Sequence, residues 1–161
     1  MNRMWKLCIC GLLFVGLLTG CGENSAYKTG HILTPSGQAV SVGEDGAGIE
    51  ERFGTPEDYA EAQSCYGNGY DKLYTYAGFE ITTYPDANGN GEFVSVLVLT
   101  DDTVVTGLGL KVGMTQSRMV ELYGADFVQR GKSCVYTLEK DVTLWVDIDE
   151  DTITRIEFRA P

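Results

Sequence analysis

Cys65 and Cys134 are the residues of this chain with the strongest capacity for chemistry. In an oxidising compartment the two thiols could form a disulfide, which would close a loop of about 70 residues and contribute about 4 kcal/mol. Two separate buried thiols are the alternative. A catalytic dyad of Cys65 with His31, the single histidine, is conceivable, but a disulfide and a surface histidine are favoured over it. We therefore predict a Cys65–Cys134 disulfide.

The segment Asp86-Ala87-Asn88-Gly89-Asn90-Gly91 is a weak candidate for a metal site. Oxygen ligands at Asp86, Asn88 and Asn90 match the first positions of a calcium loop, but Leu97 stands where that loop needs a bidentate glutamate. A hairpin turn explains the same residues, since Asn and Gly tolerate positive φ. We expect a turn, with no metal and no cofactor.

Large aromatic side chains are the better indication of function. Six of the nine tyrosines lie between Tyr59 and Tyr84. Strand alternation places Tyr84 and Trp145 on the sheet face opposite the apolar residues. Exposed tyrosine-rich surfaces suit protein recognition, so we predict a partner-binding face at Tyr84 and Trp145. The alternative is that this second face packs between two halves of the protein.

The first 21 residues indicate where the protein works. Arg3 and Lys6 precede an apolar run of 12 residues, Leu7 to Leu18, and the sequence Leu-Thr-Gly-Cys ends at Cys21. The run is too short to span a bilayer but suits a signal peptide. We predict a lipoprotein signal peptide at 1–20, lipidation of Cys21, and a mature protein anchored in the membrane through its lipid on the extracytoplasmic side.

Composition excludes some classes of function. The 161-residue chain has a formal net charge of −11, and removal of residues 1–20 would make it more acidic because they hold two basic residues and no acid. Such a charge disfavours binding to nucleic acid. With 43% hydrophobic residues, the chain can form a folded core.

Two predicted helices with similar flanks recur along the chain. Val42-Gly43, Ile49, Phe53 and Gly54 correspond to Val112-Gly113, Met119, Tyr123 and Gly124. The apolar residues four apart lie on one helical face, and each closing glycine suits a left-handed terminus. Asp45 and Thr115 are the predicted N-caps.

Aromatic and β-branched segments with period-two alternation follow each helix and predict antiparallel strands. His31–Thr34 and Gln38–Val42 predict an opening hairpin. The other expected strands are Lys72–Ala77, Phe79–Tyr84, Phe93–Thr100, Ser133–Leu138, Val142–Asp147 and Thr152–Arg159.

These elements predict an α+β fold of two tandem repeats, each a short helix followed by a three- to four-stranded antiparallel sheet. The expected divisions are 21–28 as a tether from the lipid, 29–105 as the first repeat and 106–161 as the second.

Parts of the sequence resemble known protein families. The run Val112 to Gly124 followed by three strands resembles the repeat of β-lactamase inhibitor proteins, and the layout is similar to small outer-membrane-assembly lipoproteins. A wider resemblance is carried by Ser64-Cys65, Asp71 to Tyr76, Gly78 to Pro85 and Asp101-Asp102. These segments resemble those of cell-surface lipoproteins of Gram-positive anaerobes, and the resemblance implies a fold but no activity.

We therefore expect a non-catalytic lipoprotein that binds or scaffolds another protein of the cell envelope. The alternatives are an envelope enzyme, either a hydrolase or a thiol redox protein using Cys65 or Cys134, and a lipoprotein that senses calcium or a small ligand.

Overall fold

The strands of the chain form two antiparallel sheets, described by a computed structural model for residues 30–88 and 91–161. The predicted signal peptide and tether lie outside the described residues. In chain order the elements are β1 His31–Leu33, β2 Ala39–Ser41, α1 Ile49–Phe53, β3 Asp58–Gln63, β4 Tyr70–Tyr76, β5 Phe79–Pro85, β6 Glu92–Leu99, β7 Val105–Thr106, α2 Gln116–Tyr123, β8 Val128–Arg130, β9 Ser133–Thr137, a 3₁₀ turn Glu139–Asp141, β10 Thr143–Asp149 and β11 Thr152–Arg159.

The larger sheet has eight strands in the order β3-β4-β5-β6-β11-β10-β9-β8, and the smaller sheet has the order β2-β1-β7. The two halves of the chain meet where β6 pairs with β11, with Leu99 opposite Ile156 and Leu97 opposite Phe158. Strands distant in sequence thus join the halves edge to edge by backbone hydrogen bonds.

The predicted fold class of two α+β repeats, each with its own sheet, is wrong. Strands make up 47% and helices 12% of the described residues, so the protein is mostly β. A helix followed by four strands does occur twice along the chain, but all eight strands belong to one sheet. The expected division at 105/106 falls within β7, which pairs with β1. The alternation of side chains predicted six of the eight strands of this sheet, missed the edge strands β3 and β8, and could not show which strands pair.

Both helices have the apolar face that their sequence predicts. Ile49 in α1 and Met119 in α2 are buried, and Phe53 and Tyr123 pack against the same core. Thr115 is the N-cap of α2, and its hydroxyl accepts a hydrogen bond from the Arg118 N–H at 3.3 Å.

The predicted N-cap of α1 is wrong. Gly48, and not Asp45, stands at that position. Asp45 instead accepts a hydrogen bond from the Ala47 N–H, at 3.0 Å, in the turn before the helix. The carboxylate is therefore used within that turn and does not reach the first N–H groups of α1.

The two helices end in the same way. Gly54 and Gly124 have φ of +86° and +88°, but with an extended ψ in place of the left-handed helical value predicted for them. Essentially only glycine adopts this conformation. The Tyr76 hydroxyl donates to the Gly54 carbonyl at 3.1 Å, and the Tyr136 hydroxyl donates to the Gly124 carbonyl at 2.8 Å. Each helix terminus is thus fastened to a strand of the large sheet.

A single core lies on one face of the large sheet. It contains side chains from both halves of the sheet, from both helices and from the smaller sheet, which contributes Ile32 and Val40. We call the other side of the large sheet the open face, because the helices and the smaller sheet pack on the core side. The alternative prediction, in which this second face packs between two halves, is therefore wrong.

Candidate binding face

Tyr84 and Trp145 both lie on the open face, as the strand alternation predicts. Tyr84 in β5 stands opposite Phe93 in β6, and Trp145 in β10 stands opposite Glu157 in β11. Their strand neighbours Thr83 and Leu144 are fully buried in the core, whereas both rings are half-buried. Three strand steps separate the two residues, from β5 through β6 and β11 to β10.

Tyr84 is the centre of an aromatic cluster. Its ring stacks on Tyr66 with centroids 6.2 Å apart and meets Phe93 edge-on at 6.4 Å. Tyr66 comes from the loop between β3 and β4 and is exposed. A cleft of about 130 Å³ lies beside these rings and is also lined by Arg159 and Pro161. The cleft has room for one side chain.

Arg159 connects this cluster to Trp145. Its Cζ lies 4.5 Å from the centroid of the Trp145 ring, which is a cation–π contact. The same side chain lines the cleft beside Tyr84. We call Tyr66, Tyr84, Phe93, Trp145 and Arg159 the aromatic–arginine patch. The fold thus brings the two predicted residues into one continuous surface, through an arginine that the sequence analysis did not identify.

Glu157 holds the arginine in place. It is only 4% exposed, and its two carboxylate oxygens accept hydrogen bonds from Arg155 and Arg159, which are both nearly half-exposed. Charge-assisted bonds of this kind fix a guanidinium in position. Two guanidinium groups thus share the one carboxylate of Glu157.

Asp147 adds a further ion pair on the open face. Burial alone would raise its pKa, but hydrogen bonds from Ser133 and Lys132 and the positive charges of Lys132 and Arg155 hold that pKa below its usual value. The Lys132 Nζ lies 3.2 Å from Asp147 Oδ2. The ionised carboxylate therefore stays paired beside Arg155, its register partner in β11.

Sequence reasoning missed Arg155, Glu157 and Arg159, although a signal for them exists. Three charged residues at alternate positions of one strand must share a face. Ile156 and Phe158, which lie between them, are fully buried on the core side. The three charged residues therefore lie on the open face, which also carries Trp145.

The predicted disulfide is wrong, because Cys65 and Cys134 are both free thiols. Cys65 follows the edge strand β3, and Cys134 lies in β9 near the opposite edge of the eight-stranded sheet. At about 4.8 Å per strand this separation far exceeds the roughly 7 Å between Cα atoms that a disulfide tolerates. Sequence spacing alone could not show that the two residues lie at opposite ends of one sheet.

Cys134 is poorly placed for nucleophilic catalysis, because it is buried in the core. Cys134 is fully buried, its Sγ contacts Gln129 Oε1 at 3.3 Å, and burial raises the pKa of its thiol. His31 lies in β1, where its Nδ1 is 3.0 Å from the Ser41 hydroxyl, and burial lowers its pKa. Cys65 is exposed on the loop after β3.

The described residues of the candidate calcium segment, 86–88 and 91, lie between β5 and β6. The Asp86 N–H donates to the Gly91 carbonyl at 2.8 Å, and Asp86 Oδ1 accepts from the Asn88 N–H at 3.3 Å. Asn90 lies outside the described residues. Among residues 30–88 and 91–161, no group of three or more His, Cys, Asp or Glu side chains is placed to hold a metal ion.

A larger cleft of about 630 Å³ lies beside the C-terminus of α2. Its two tyrosine hydroxyls already have partners, since Tyr123 bonds to Thr106 and Tyr136 bonds to Gly124. These hydroxyls therefore serve the fold.

Comparisons with known proteins assign no family. Neither a protein-family model nor a curated protein matches the chain. Among solved structures, the chain is similar to a DUF4309 family protein (YjgB) from Bacillus subtilis subsp. subtilis str. 168. The TM-score is 0.47, with 16% identity, 86% of this chain covered and 92% of that chain. Neither the lipoproteins nor the inhibitor proteins that the motifs resemble are among these findings.

Within the described part of the chain, no helix combines the length and the apolar character needed to cross a membrane.

Proposed function

We propose that this protein is a non-catalytic, lipid-anchored module of the cell envelope that binds another envelope protein through the aromatic–arginine patch. The observation that carries the proposal is the open face itself. Both helices and the smaller sheet pack on the core side, while half-buried aromatic rings and an ordered arginine lie on the opposite side.

The residue types of the patch match those that dominate protein interfaces. Trp, Tyr and Arg are enriched among the residues whose truncation costs a complex about 2 kcal/mol or more. Arg159 is held against Trp145 by Glu157 before any partner arrives. Less side-chain entropy is therefore lost when a partner binds.

The anchor is the second part of the proposal. Cys21 and the tether lie outside the described residues, and the support for them is the sequence Leu-Thr-Gly-Cys behind an apolar run. Residues 22–29 can reach at most about 28 Å when extended. A lipid at Cys21 would therefore keep the folded part close to the membrane, where an envelope partner can be met.

The double variant Tyr84→Ala with Trp145→Ala tests the binding face. We expect the full-length protein, purified in mild detergent and used to capture partners from membranes, to lose its specific partner by tenfold or more. Both rings are on the open face, so the melting temperature should change little. The matched control is Tyr70→Ala, which removes one aromatic ring outside the patch. This variant should capture the partner as well as the unaltered protein does.

Two results would contradict the proposed face. Unchanged capture by the double variant would place the interface elsewhere. A melting temperature lowered by more than about 8 °C would show that the two rings stabilise the fold, since this corresponds to roughly 2–4 kcal/mol in a domain of this size.

The variant Cys21→Ala tests the anchor. Metabolic labelling with palmitate should mark the unaltered protein and not the variant, and the variant should remain unprocessed or leave the membrane fraction. Equal labelling of both proteins would show that Cys21 is not the lipidated residue.

A further inference from the structure

The strand β3 forms one free edge of the eight-stranded sheet. All six of its residues, Asp58–Gln63, are exposed, and its pairing with β4 runs through all six without a bulge. Proteins usually protect an edge strand by making it short, bulged or charged, or by placing proline in it. The opposite edge, β8, has only three residues. The protection of β3 is charge, from Asp58 and Glu61, which opposes pairing with another acidic strand.

The backbone groups at this edge can be assigned from the register. The Ser64 N–H donates to the Gly69 carbonyl at 3.0 Å. Since bonding alternates along an antiparallel strand, Asp58, Ala60 and Ala62 also bond towards β4. The remaining residues, Tyr59, Glu61 and Gln63, therefore direct their N–H and C=O groups outwards. The Tyr59 N–H agrees with this assignment, because it donates to the Asp58 carboxylate at 2.9 Å.

The two sides of the edge differ in chemistry. On the core side, Tyr59 offers a partly exposed ring whose hydroxyl donates to Glu61 at 2.6 Å. On the open side, Ala60 and Ala62 are small, and Ala62 stands opposite Asp71 of β4. Asp71 Oδ1 is buried and has no hydrogen-bond partner among residues 30–88 and 91–161.

An unpaired buried carboxylate oxygen is costly and calls for a donor. A long cationic side chain on a strand added beside β3 can cross the methyl group of Ala62 and approach the carboxylate of Asp71, a residue that is half-buried as a whole. Asp58 provides a second carboxylate on the same side of the sheet, and the residue before it, Glu57, is also acidic. The open side of this edge therefore favours a basic occupant.

We propose that β3 accepts an extended basic segment of a partner protein as an antiparallel ninth strand. Lysine or arginine side chains of the segment lie on the open side, against Asp58 and Asp71, and apolar side chains lie on the core side, against Tyr59. Main-chain bonds to Glu61 and Gln63 supply the pairing, as in other cases of strand addition. This site goes beyond the aromatic–arginine patch and does not depend on it.

Charge decides between this occupant and a second copy of the chain. Two copies would bring together two strands that each carry Asp58 and Glu61, on proteins with a net charge of −11. A basic segment instead meets opposite charge. An antiparallel ninth strand would also continue the antiparallel pairing of the large sheet. Antiparallel pairing is slightly more stable per residue than parallel pairing.

The experiment uses the full-length protein in mild detergent and a capped hexapeptide of alternating lysine and valine. In the proposed geometry the valines face the core side, opposite Tyr59, Glu61 and Gln63, so their N–H groups point to β3. Backbone N-methylation of the valines should therefore abolish binding, while N-methylation of the lysines should leave it within about twofold. Bound peptide should slow hydrogen exchange at the Glu61 and Gln63 amides at least tenfold.

Three protein variants complete the test. Glu61→Pro removes an outward N–H without removing a bond to β4 and should weaken binding at least fivefold, with an unchanged circular dichroism spectrum. Asp71→Asn should weaken binding about fivefold. Glu139→Gln removes one negative charge from the exposed 3₁₀ turn in the other half of the chain and should change affinity less than twofold.

Equal binding of the two N-methylated peptides would overturn the proposal, since attraction would then be by charge alone. A concentration-dependent dimer that Glu61→Pro abolishes would also overturn it, because the occupant would be a second copy. Failure of the unmodified peptide to protect the Glu61 and Gln63 amides would do the same. Unchanged peptide binding by the Tyr84→Ala, Trp145→Ala variant is expected, and separates this site from the patch.

Discussion

Two tyrosine hydroxyls hold the ends of the two helices to the large sheet, and their removal gives a quantitative test of the fold. In Tyr76→Phe the Gly54 carbonyl at the end of α1 loses its donor, and in Tyr136→Phe the Gly124 carbonyl at the end of α2 loses the equivalent donor. Phenylalanine keeps the ring in the core, so neither change leaves a cavity.

The magnitude follows from the surroundings of each bond. A typical intramolecular hydrogen bond contributes about 1 kcal/mol net, and more when its removal leaves a buried group unpaired. Gly54 and Gly124 are both exposed, so water can replace the lost donor at each carbonyl. We therefore expect each variant to lower the free energy of unfolding by about 0.5–1 kcal/mol.

The double variant should lose the sum of the two effects. Tyr76 lies in β4 and Tyr136 in β9, and four strands separate them in the sheet. This places them roughly 24 Å apart at about 4.8 Å per strand. Effects at sites that distant, with no shared partner, usually add within about 0.5 kcal/mol. The expected loss is therefore twice that of a single variant.

Urea unfolding followed by far-ultraviolet circular dichroism measures these values. The matched control is Tyr84→Phe, which removes the same hydroxyl on the open face, where it has no hydrogen-bond partner among the described residues; its midpoint should not move. A loss in either single variant that is more than double the expected value, or no loss in both, would refute the assigned role of the hydroxyls.

Two further predictions concern titration and thiols. Desolvation raises the pKa of Tyr76, Tyr123 and Tyr136 to about 12 each. The same hydroxyls have a pKa of about 10 in the unfolded chain. Their contribution to the free energy of unfolding is therefore complete below pH 10 and is lost as the pH rises from 10 through 12. Thermal melts from pH 9 to 12 should show this fall, with a smaller slope in Tyr136→Phe, and a flat profile would contradict it. Peptide mapping after brief alkylation of the native protein should find Cys65 modified and Cys134 protected until unfolding, whereas a Cys65–Cys134 cross-linked peptide would show that the sheet is arranged differently.

The sequence by itself determined the local elements of this protein. Period-two alternation located the strands around Phe79 and Val142, and apolar residues four apart identified the buried faces of both helices. The glycines at 54 and 124 marked the helix ends because their positive φ disfavours other residues. The same alternation placed Tyr84 and Trp145 on one side of the sheet. Each of these features depends on residues near one another in the chain.

Only the tertiary structure decided which strands are neighbours. Both β6 and β11 have buried side chains facing the core, and nothing in their alternation specifies that they pair. That one pairing merges the halves into a single sheet. It separates Cys65 from Cys134 and brings Arg159 of β11 beside the cleft at Tyr84 and Phe93. Backbone hydrogen bonds join strands without regard to side-chain identity, so the order of strands is a property of the whole core and cannot be derived from any one segment.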